Sequence, residues 1–353
     1  MIRPRFSLRA LLILTTLVAA ALGAWRLYVE PYRQAKIAVA ELSALNADFK
    51  TEPVVFPKWL RWLPWTRDCI KLTEVASYHV SDHYPGYSEY DLRNRNLDDR
   101  ALKACARVDT ISIITFPDTK ITDAGLAYLA GMTALEHLNV RETMIGDTGL
   151  AHLTRLPNLQ SLDLVKTQVT DAGFAHLVPI KSLNSLQLGS RLLTDKCGES
   201  LCQCRGLTKL TLQSPVITDA LLLEFKDFTN VREFGIYGTK ATGAALAEFK
   251  DWNKLDMLTL SMNHVTDDTL KCLDNFPNLT YLEVMEPDVT DQCLPHITSH
   301  RKLTNLSLSW SGVTETGHKE LVAALPKCSI SFSPNISPDN ARKERENQWA
   351  DEK

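Results

Sequence analysis

The chain has 353 residues, and its 39 basic and 42 acidic side chains nearly cancel to a formal net charge of −3 at pH 7. This balance leaves no polycationic face for a phosphate backbone, so nucleic acid is excluded as the expected partner. The mixed charges are typical of an ordered, soluble exterior.

The first predicted element is an apolar segment that targets the chain to a membrane. Three arginines within the first nine residues precede 16 uncharged, mostly apolar residues. We predict a retained signal anchor or transmembrane segment over residues 1–29, with residues 10–29 in the membrane and the long domain outside. A signal peptide cleaved near Ala19-Ala20-Ala21 is the alternative, and it would release a secreted protein.

Two shorter elements are predicted before the main domain. Apolar residues near helical spacing predict a juxtamembrane helix or stalk over residues 30–52. The tryptophan-rich sequence KWLRWLPW then predicts an N-terminal cap over residues 53–86, which would cover one open end of the core. A helix that rests on the membrane surface is the alternative for the same tryptophans.

A period of 24 residues organises the chain from residue 87 to residue 333. Aspartate recurs on this step at positions 99, 123, 147, 171, 195, 219, 267 and 291, and Gly243 interrupts the series. A fixed period of about 20 to 50 residues indicates a solenoid. Leucine-type residues recur on the same step: Ile111, Leu135, Leu159, Leu183, Leu207, Val231, Leu255, Leu279 and Leu303.

Each repeat predicts one short strand and one return helix. The pattern L-x-x-L-x-L alternates as a strand with one buried face does, and strands that recur so soon must lie parallel. Strands are predicted near 90–92, 114–116, 138–140, 162–164, 186–188, 210–212, 234–236, 258–260, 282–284 and 306–308.

The segment T-D-x-G-L that follows each strand predicts the start of a helix. A threonine oxygen suits the unpaired N–H groups of a first turn, and the next aspartate is favoured there by the helix dipole. We therefore interpret the recurrent aspartates as structural, and not as metal or ligand sites.

The full unit, L-x-x-L-x-L-x-x-T-x-I-T-D-x-G-L, resembles a leucine-rich repeat of the subtype found in bacterial tandem arrays and in the cysteine-containing repeats of F-box proteins. The resemblance covers residues 87–333. It implies an α/β fold: a right-handed solenoid with a parallel concave sheet and short convex helices. The segments RFSLRALLILTTL, RQAKIAVAELSAL and PKWLRWL resemble membrane-anchored leucine-rich-repeat proteins of planctomycete bacteria, which implies a periplasmic or surface location.

Motifs for catalysis are missing from the sequence. It contains no glycine-rich phosphate loop, no G-x-S-x-G and no H-E-x-x-H. The eight cysteines are interpreted mainly as free, buried thiols, and a local disulfide is left open for Cys197, Cys202 and Cys204.

Two histidine pairs have the i, i+4 spacing of metal ligands. They are His79 with His83 and His296 with His300, and neither has an obvious third ligand. No metal and no cofactor are predicted.

Outward positions of the strands are the expected place for function, because the core positions already fix the fold. Large side chains gather there in the C-terminal third: Tyr237, Met257, Tyr281, Met285 and Trp310. Aromatic and methionine side chains on such faces are typical of binding hot spots, so we predict a ligand-binding patch. The small residues Gly235, Thr259 and Ser261 are expected to leave room for a partner side chain. The alternative is that the large side chains only pack on one another.

These observations predict a non-catalytic, membrane-tethered scaffold that binds a protein or a cell-envelope polymer through its concave face. An intracellular adaptor of the F-box type is the alternative, but the first 86 residues offer no room for a separate adaptor domain. An enzyme is the least favoured reading. Residues 334–353 form a charged tail that is predicted to be disordered or loosely helical.

Overall fold

A computed structural model of the chain describes residues 15–16, 18–19, 22–23, 25–53, 70–76, 95–261 and 263–333. Several sequence predictions lie outside these ranges: most of the apolar anchor, the tryptophan-rich segment, the His79/His83 pair, the strand near 90–92 and the charged tail. Among the described residues, no helix combines the length and the hydropathy needed to cross a membrane.

The described strands form one sheet in which sequence order and spatial order are the same. The strands are β1 Asp48–Pro53, β2 Ile70–Ala76, β3 Ile113–Thr115, β4 His137–Asn139, β5 Ser161–Val165, β6 Ser185–Gly189, β7 Lys209–Gln213, β8 Glu233–Tyr237, β9 Met257–Ser261, β10 Tyr281–Met285, β11 Asn305–Ser307 and β12 Ser329–Ser331. All pairs from β2 to β12 are parallel, and β1 pairs antiparallel to β2.

The register repeats without drift because every repeat has the same length. Leu162 pairs with Leu186, which pairs with Leu210, so the buried leucines of successive strands stack in line. Each predicted strand from 114–116 onward overlaps an observed strand to within one residue at either end. The predicted α/β solenoid of leucine-rich repeats is therefore confirmed.

The return segments are short helical turns on the other side of the core. The α-helices are α1 Glu30–Ala44, α2 Asp99–Cys105, α3 Asp123–Leu126, α4 Asp147–Leu153, α5 Gly198–Leu201, α6 Asp219–Glu224, α7 Leu294–Thr298 and α8 Glu315–Ala324. Tighter 3₁₀ turns occupy Ala127–Gly131, Asp171–His176, Asp195–Cys197, Ala244–Glu248, Thr269–Asn275 and Asp291–Cys293, and a π-helical turn spans Trp25–Val29. A 24-residue repeat leaves few residues for this segment, which favours the short 3₁₀ form.

The core runs as one continuous layer between the sheet and the helical turns. The column that begins at Leu97 and the column that begins at Cys105 are buried in every repeat. Trp252 is fully buried in this layer, and its ring centroid lies 5.1 Å from that of Phe234 and 4.4 Å from that of Phe249. Because each repeat contacts its neighbours, the stack buries a face that a single repeat could not.

Helix α1 lies within the segment 30–52, for which a juxtamembrane helix or stalk was predicted, and it packs against the repeats. Ala35, Ala38 and Leu42 are at most 3% exposed and belong to the core of the repeats. Glu41 also forms an ion pair with Arg107, which follows α2, at 3.0 Å. The helix therefore covers the first repeat and acts as an N-terminal cap itself.

Strand β2 corrects the placement of the first repeat strand. Val75 pairs with Ile114, so β2 occupies the position beside β3 that the sequence analysis gave to the strand near 90–92. The antiparallel partner β1 then forms the first edge of the sheet. The N-terminal end of the solenoid is thus built from segments that do not follow the 24-residue period.

Candidate functional site

The recurrent aspartates join successive repeats. Asp147 Oδ1 accepts a hydrogen bond from the Thr170 backbone N–H at 2.8 Å, and Asp147 Oδ2 accepts one from the Thr170 hydroxyl at 2.7 Å. The same pair of bonds links Asp99 to Thr122, Asp171 to Thr194, Asp195 to Thr218, Asp267 to Thr290 and Asp291 to Thr314. In Asp219, Oδ2 accepts both bonds from Thr242, and Oδ1 accepts from the Ala245 N–H at 3.4 Å. Both carboxylate oxygens are thus engaged within the fold, so this column offers no open ligand set.

Glycine in T-D-x-G is explained by the same contact. A Cβ atom at Gly125 would collide with Asp99 Oδ1, and one at Gly173 would collide with Asp147 Oδ1. The carboxylate of the preceding repeat thus lies where a side chain would start. The repeat pattern predicted a role for the aspartate at the helix dipole, and this bond between repeats is an additional role that the pattern does not reveal.

The single gap in the aspartate series is filled by a hydroxyl group. Gly243 has φ of +75°, and a Cβ atom there would collide with the Thr269 methyl group of the next repeat. The Thr269 hydroxyl donates to the Thr242 carbonyl at 2.8 Å and accepts from the Thr266 N–H at 3.4 Å. One threonine therefore replaces the missing acid as the link between the two repeats.

The cysteines within the described residues are free thiols, so no disulfide joins Cys197, Cys202 and Cys204. Burial raises the pKa of Cys197, and likewise that of Cys293, from 9.0 to about 12, with the adjacent aspartate charges acting in the same direction. Such thiols remain protonated at neutral pH and behave as small apolar side chains.

In the pair His296 and His300, the ring of His300, just beyond α7, contacts the backbone. The two ring nitrogens of His300 lie 2.9 Å from the His296 carbonyl oxygen and 2.8 Å from the Leu273 carbonyl oxygen. These contacts join the His300 ring to the preceding repeat and occupy both of its nitrogens. Among the described residues no cluster of three or more metal-ligating side chains occurs.

The outward, concave face of the sheet carries three parallel rows of side chains. The first row contains His137, Ser161, Ser185, Lys209, Glu233, Met257, Tyr281 and Asn305. The middle row contains Thr115, Asn139, Asp163, Gln187, Thr211, Gly235, Thr259, Glu283 and Ser307. The third row contains Val165, Gly189, Gln213, Tyr237, Ser261 and Met285.

Four of the five predicted patch residues lie on β8 to β10, in two of these rows. Met257 and Tyr281 are direct neighbours in the first row. Tyr237 and Met285 lie in the third row, on either side of Ser261. Rows four residues apart along a strand are about 13 Å from each other.

Trp310 differs from the other four because it is not part of a strand. It follows β11 in a turn, where its φ is +59°. Left-handed backbone is unusual for a tryptophan. All five side chains are partly exposed, so each is accessible to a partner.

One of the expected spaces between the large side chains is occupied. A Cβ atom at Gly235 would lie 2.8 Å from Tyr237 Cε2, so the tyrosine ring lies across the glycine. Thr259 and Ser261 are only 5% and 4% exposed. The prediction that these small residues leave room for a partner side chain thus meets the Tyr237 ring at Gly235. For the space beside Thr259 and Ser261 it stays a prediction.

Glu283 is a patch residue that the sequence analysis missed. It lies in the middle row of β10, and its Oε2 accepts a hydrogen bond from the Tyr281 hydroxyl at 2.9 Å. Residues i and i+2 of a strand face the same side, so the sequence itself placed a carboxylate beside this tyrosine. The i, i+2 spacing of Tyr281 and Glu283 is therefore the sequence signal that places Glu283 in the patch.

A buried polar network supports the patch from behind. Asn263 is 1% exposed, and its Oδ1 accepts bonds from the N–H and the hydroxyl of Thr239 at 3.0 and 2.7 Å. Its Nδ2 donates to the Ile236 carbonyl at 2.9 Å, and its N–H donates to Glu286 Oε1 at 2.5 Å. The network joins the turns that follow β8, β9 and β10, next to the strand ends that carry Tyr237 and Met285.

The polar middle of the concave face contains one buried carboxylate, Asp163, and a nearby arginine, Arg141. Asp163 is 7% exposed, and its carboxylate accepts a hydrogen bond from the Val165 N–H at 3.0 Å. Burial raises the pKa of Asp163, while this bond and the charge of Arg141 act to lower it. Arg141 donates to Glu142 at 3.2 Å, and its Nε is buried without a partner.

The sequence matches no protein-family model and no curated protein. Among solved structures, an internalin (inlF) of Listeria monocytogenes is 17% identical, with a TM-score of 0.34 over 88% of this chain and 97% of that chain. Another internalin of the same organism (inlC2) is 18% identical, with a TM-score of 0.41 over 65% of this chain and 83% of that chain. The fold assignment itself rests on the strand register described above.

Proposed function

We propose that this chain is a non-catalytic scaffold that binds a protein through the C-terminal third of its concave face. One observation carries the proposal: Tyr237, Met257, Tyr281 and Met285 remain partly exposed on a face where small and polar residues prevail elsewhere. Large aromatic and methionine side chains are enriched at protein interfaces. A cell-envelope polymer is the second candidate ligand, since the sheet is long enough to follow an extended chain.

The patch is pre-organised, which favours binding. Tyr237 lies across Gly235, the Tyr281 hydroxyl is held by Glu283, and Asn263 joins the three turns behind them. A surface that is already ordered loses little side-chain entropy when a partner docks.

Truncation of the central aromatic tests the site. We expect Tyr281→Ala to weaken the complex by about 2 kcal/mol or more, since hot spots lose at least that much. The complex would be captured by chemical cross-linking on intact cells, and its affinity would then be measured with the purified partner. His137→Ala is the matched control, because His137 is an exposed ring in the same row.

Retention of full affinity by the double variant Tyr281→Ala, Trp310→Ala would exclude this patch as the binding site. Equal losses for Tyr281→Ala and His137→Ala would also count against it, because the energy would then be spread along the row. Melting curves of each variant would show that the fold is intact.

We further propose that residues 10–29 tether the repeats to a membrane, with the repeat domain on the extracytoplasmic side. The described part of this segment supports the proposal, because its large apolar side chains are exposed: Val18 by 49%, Leu22 by 63%, Trp25 by 51% and Leu27 by 71%. Exposed apolar groups of this size are stabilised when lipid covers them.

Cell fractionation with protease shaving tests the tether and its orientation together. We expect the full chain in the membrane fraction, and we expect protease added to intact cells, after permeabilisation of any outer membrane, to digest the repeats. Mature protein that begins near residue 22 in the soluble fraction would instead establish a cleaved signal and a secreted protein. Protection of the repeats from protease until the cytoplasmic membrane is broken would favour an intracellular adaptor.

A further inference from the structure

Glu283 is a carboxylate on the concave face that forms no ion pair within the part of the chain that the structure describes. It is partly exposed in the middle row of β10, between Thr259 on β9 and Ser307 on β11. Its hydrogen-bond partner is the Tyr281 hydroxyl, at 2.9 Å. None of the ion pairs among the described residues includes Glu283.

Other carboxylates on the outward face of β3 to β12 have a basic neighbour. Glu233 pairs with Lys209 on the adjacent strand at 2.5 Å. Asp163 is buried beside Arg141, whose charge acts to lower the pKa of its carboxyl. An unpaired charge set among large apolar side chains is costly to desolvate unless a partner supplies the opposite charge.

We propose that Glu283 and Tyr281 receive a basic side chain of a protein partner, arginine in the first place. The guanidinium group suits this environment, because it can donate two hydrogen bonds to a carboxylate and stack on an aromatic ring. Tyr281 lies on the same strand face, and Met257 and Met285 supply polarizable contacts beside it. This inference rests on the proposed function and names the chemistry that its patch recognises.

Two small probes test the charge directly. N-acetyl-arginine amide and N-acetyl-citrulline amide have nearly the same shape, and only the first is a cation. Binding of each to the purified full chain would be followed by saturation-transfer NMR. We expect the arginine probe to bind at least about tenfold more tightly, in line with a charge-assisted bond and a cation–π contact.

The protein variants form a matched pair. Glu283→Gln keeps an oxygen for the Tyr281 hydroxyl and removes the charge, and we expect it to abolish the preference for arginine. Glu233→Gln makes the same chemical change two strands away, where Lys209 already neutralises the carboxylate. We expect this control to leave the preference unchanged.

Several results would overturn the inference: equal binding of the two probes, no saturable binding of the arginine probe, or an undiminished preference in Glu283→Gln. The protein partner separates this failure from failure of the proposed function. If Tyr281→Ala weakens that complex and Glu283→Gln does not, the patch binds protein without reading a basic residue. If neither variant weakens it, the site lies elsewhere.

Discussion

Asp171 shows how one side chain serves two repeats. It lies in the first turn of its own helical segment, where the helix dipole favours a negative charge. Its two oxygens also accept from the N–H and the hydroxyl of Thr194, at 2.8 and 2.6 Å. The second role dominates, since a bond to a charged group contributes about 1.5–3 kcal/mol and a helix-dipole interaction about 0.3–1 kcal/mol.

We therefore expect Asp171→Ala to lower the free energy of unfolding by about 2 kcal/mol, because it leaves the Thr194 N–H without its acceptor. Asp171→Asn keeps an acceptor oxygen and should cost less than half as much. Urea denaturation of the two variants measures the difference. Equal losses for alanine and asparagine would show that the charge, and not the bond between repeats, is what stabilises the solenoid.

Helix α1 acts at the scale of an element by closing one end of the core. Its alanines allow a close approach to the first repeat, and Leu42 fills the interface without exposure to solvent. The ion pair between Glu41 and Arg107 lies on the surface at 3.0 Å, where such pairs contribute about 0–1 kcal/mol. Burial of apolar side chains is thus the main interaction that holds the cap.

We expect Leu42→Ala to destabilise the protein by about 2–5 kcal/mol, the usual cost of removing a buried leucine side chain. Glu41→Gln on the same helix should change stability by well under 1 kcal/mol. Hydrogen exchange of β2 and α2 would report the loss locally. If Leu42→Ala leaves the exchange rates of these elements unchanged, α1 is not the cap.

On the outward face of the sheet, the strand pattern predicts the direction of each side chain but not its contacts. Alternation along β10 correctly placed Tyr281 and Met285 on the outward side. It did not show that Tyr237 lies across Gly235, nor that Thr259 and Ser261 are covered. Such contacts depend on the rotamers of neighbouring strands, and a strand pattern does not specify them.

The described repeats form a linear stack in which the hydrogen bonds given above join neighbouring repeats. Local links, such as Asp147 to Thr170 or Thr269 to Thr242, are therefore repeated along the chain and add up to the global stability. Buried thiols are distributed through the same stack, and their titration lowers the free energy of unfolding of the whole molecule at alkaline pH.

We expect the free energy of unfolding to fall as the pH rises above 9. Burial raises the pKa of Cys197, Cys272 and Cys293 from 9.0 to about 12. Between these values the unfolded thiol has lost its proton while the folded thiol keeps it. Each thiol therefore contributes stability below pH 9 and loses about 1.4 kcal/mol of it per pH unit up to about pH 12.

Denaturation curves between pH 8 and pH 11 measure this slope. Cys293→Ala should reduce the slope by about 1.4 kcal/mol per pH unit, whatever its effect at pH 7. Cys328→Ala, at a partly exposed position, should reduce it far less. An unchanged slope in Cys293→Ala would mean that this thiol is not protected in the folded state.

The sequence by itself determined the period, the parallel strands and the buried columns, because these follow from a hydrophobic pattern that recurs in every repeat. Leu97 and Cys105 begin columns that are buried throughout, as alternation and helical spacing require. The positions of the large outward side chains on β8 to β10 also followed from that pattern.

Only the tertiary structure decided what non-repeating segments and individual polar groups do. The partner of Asp147 is 23 residues away in the next repeat, and β2 pairs with β3 although it does not follow the period. The hydrogen bond between Tyr281 and Glu283, and the lack of an ion-pair partner for Glu283 among the described residues, are likewise facts of packing. A repeat pattern specifies which residues are equivalent, and contact distances depend on how neighbouring repeats are stacked.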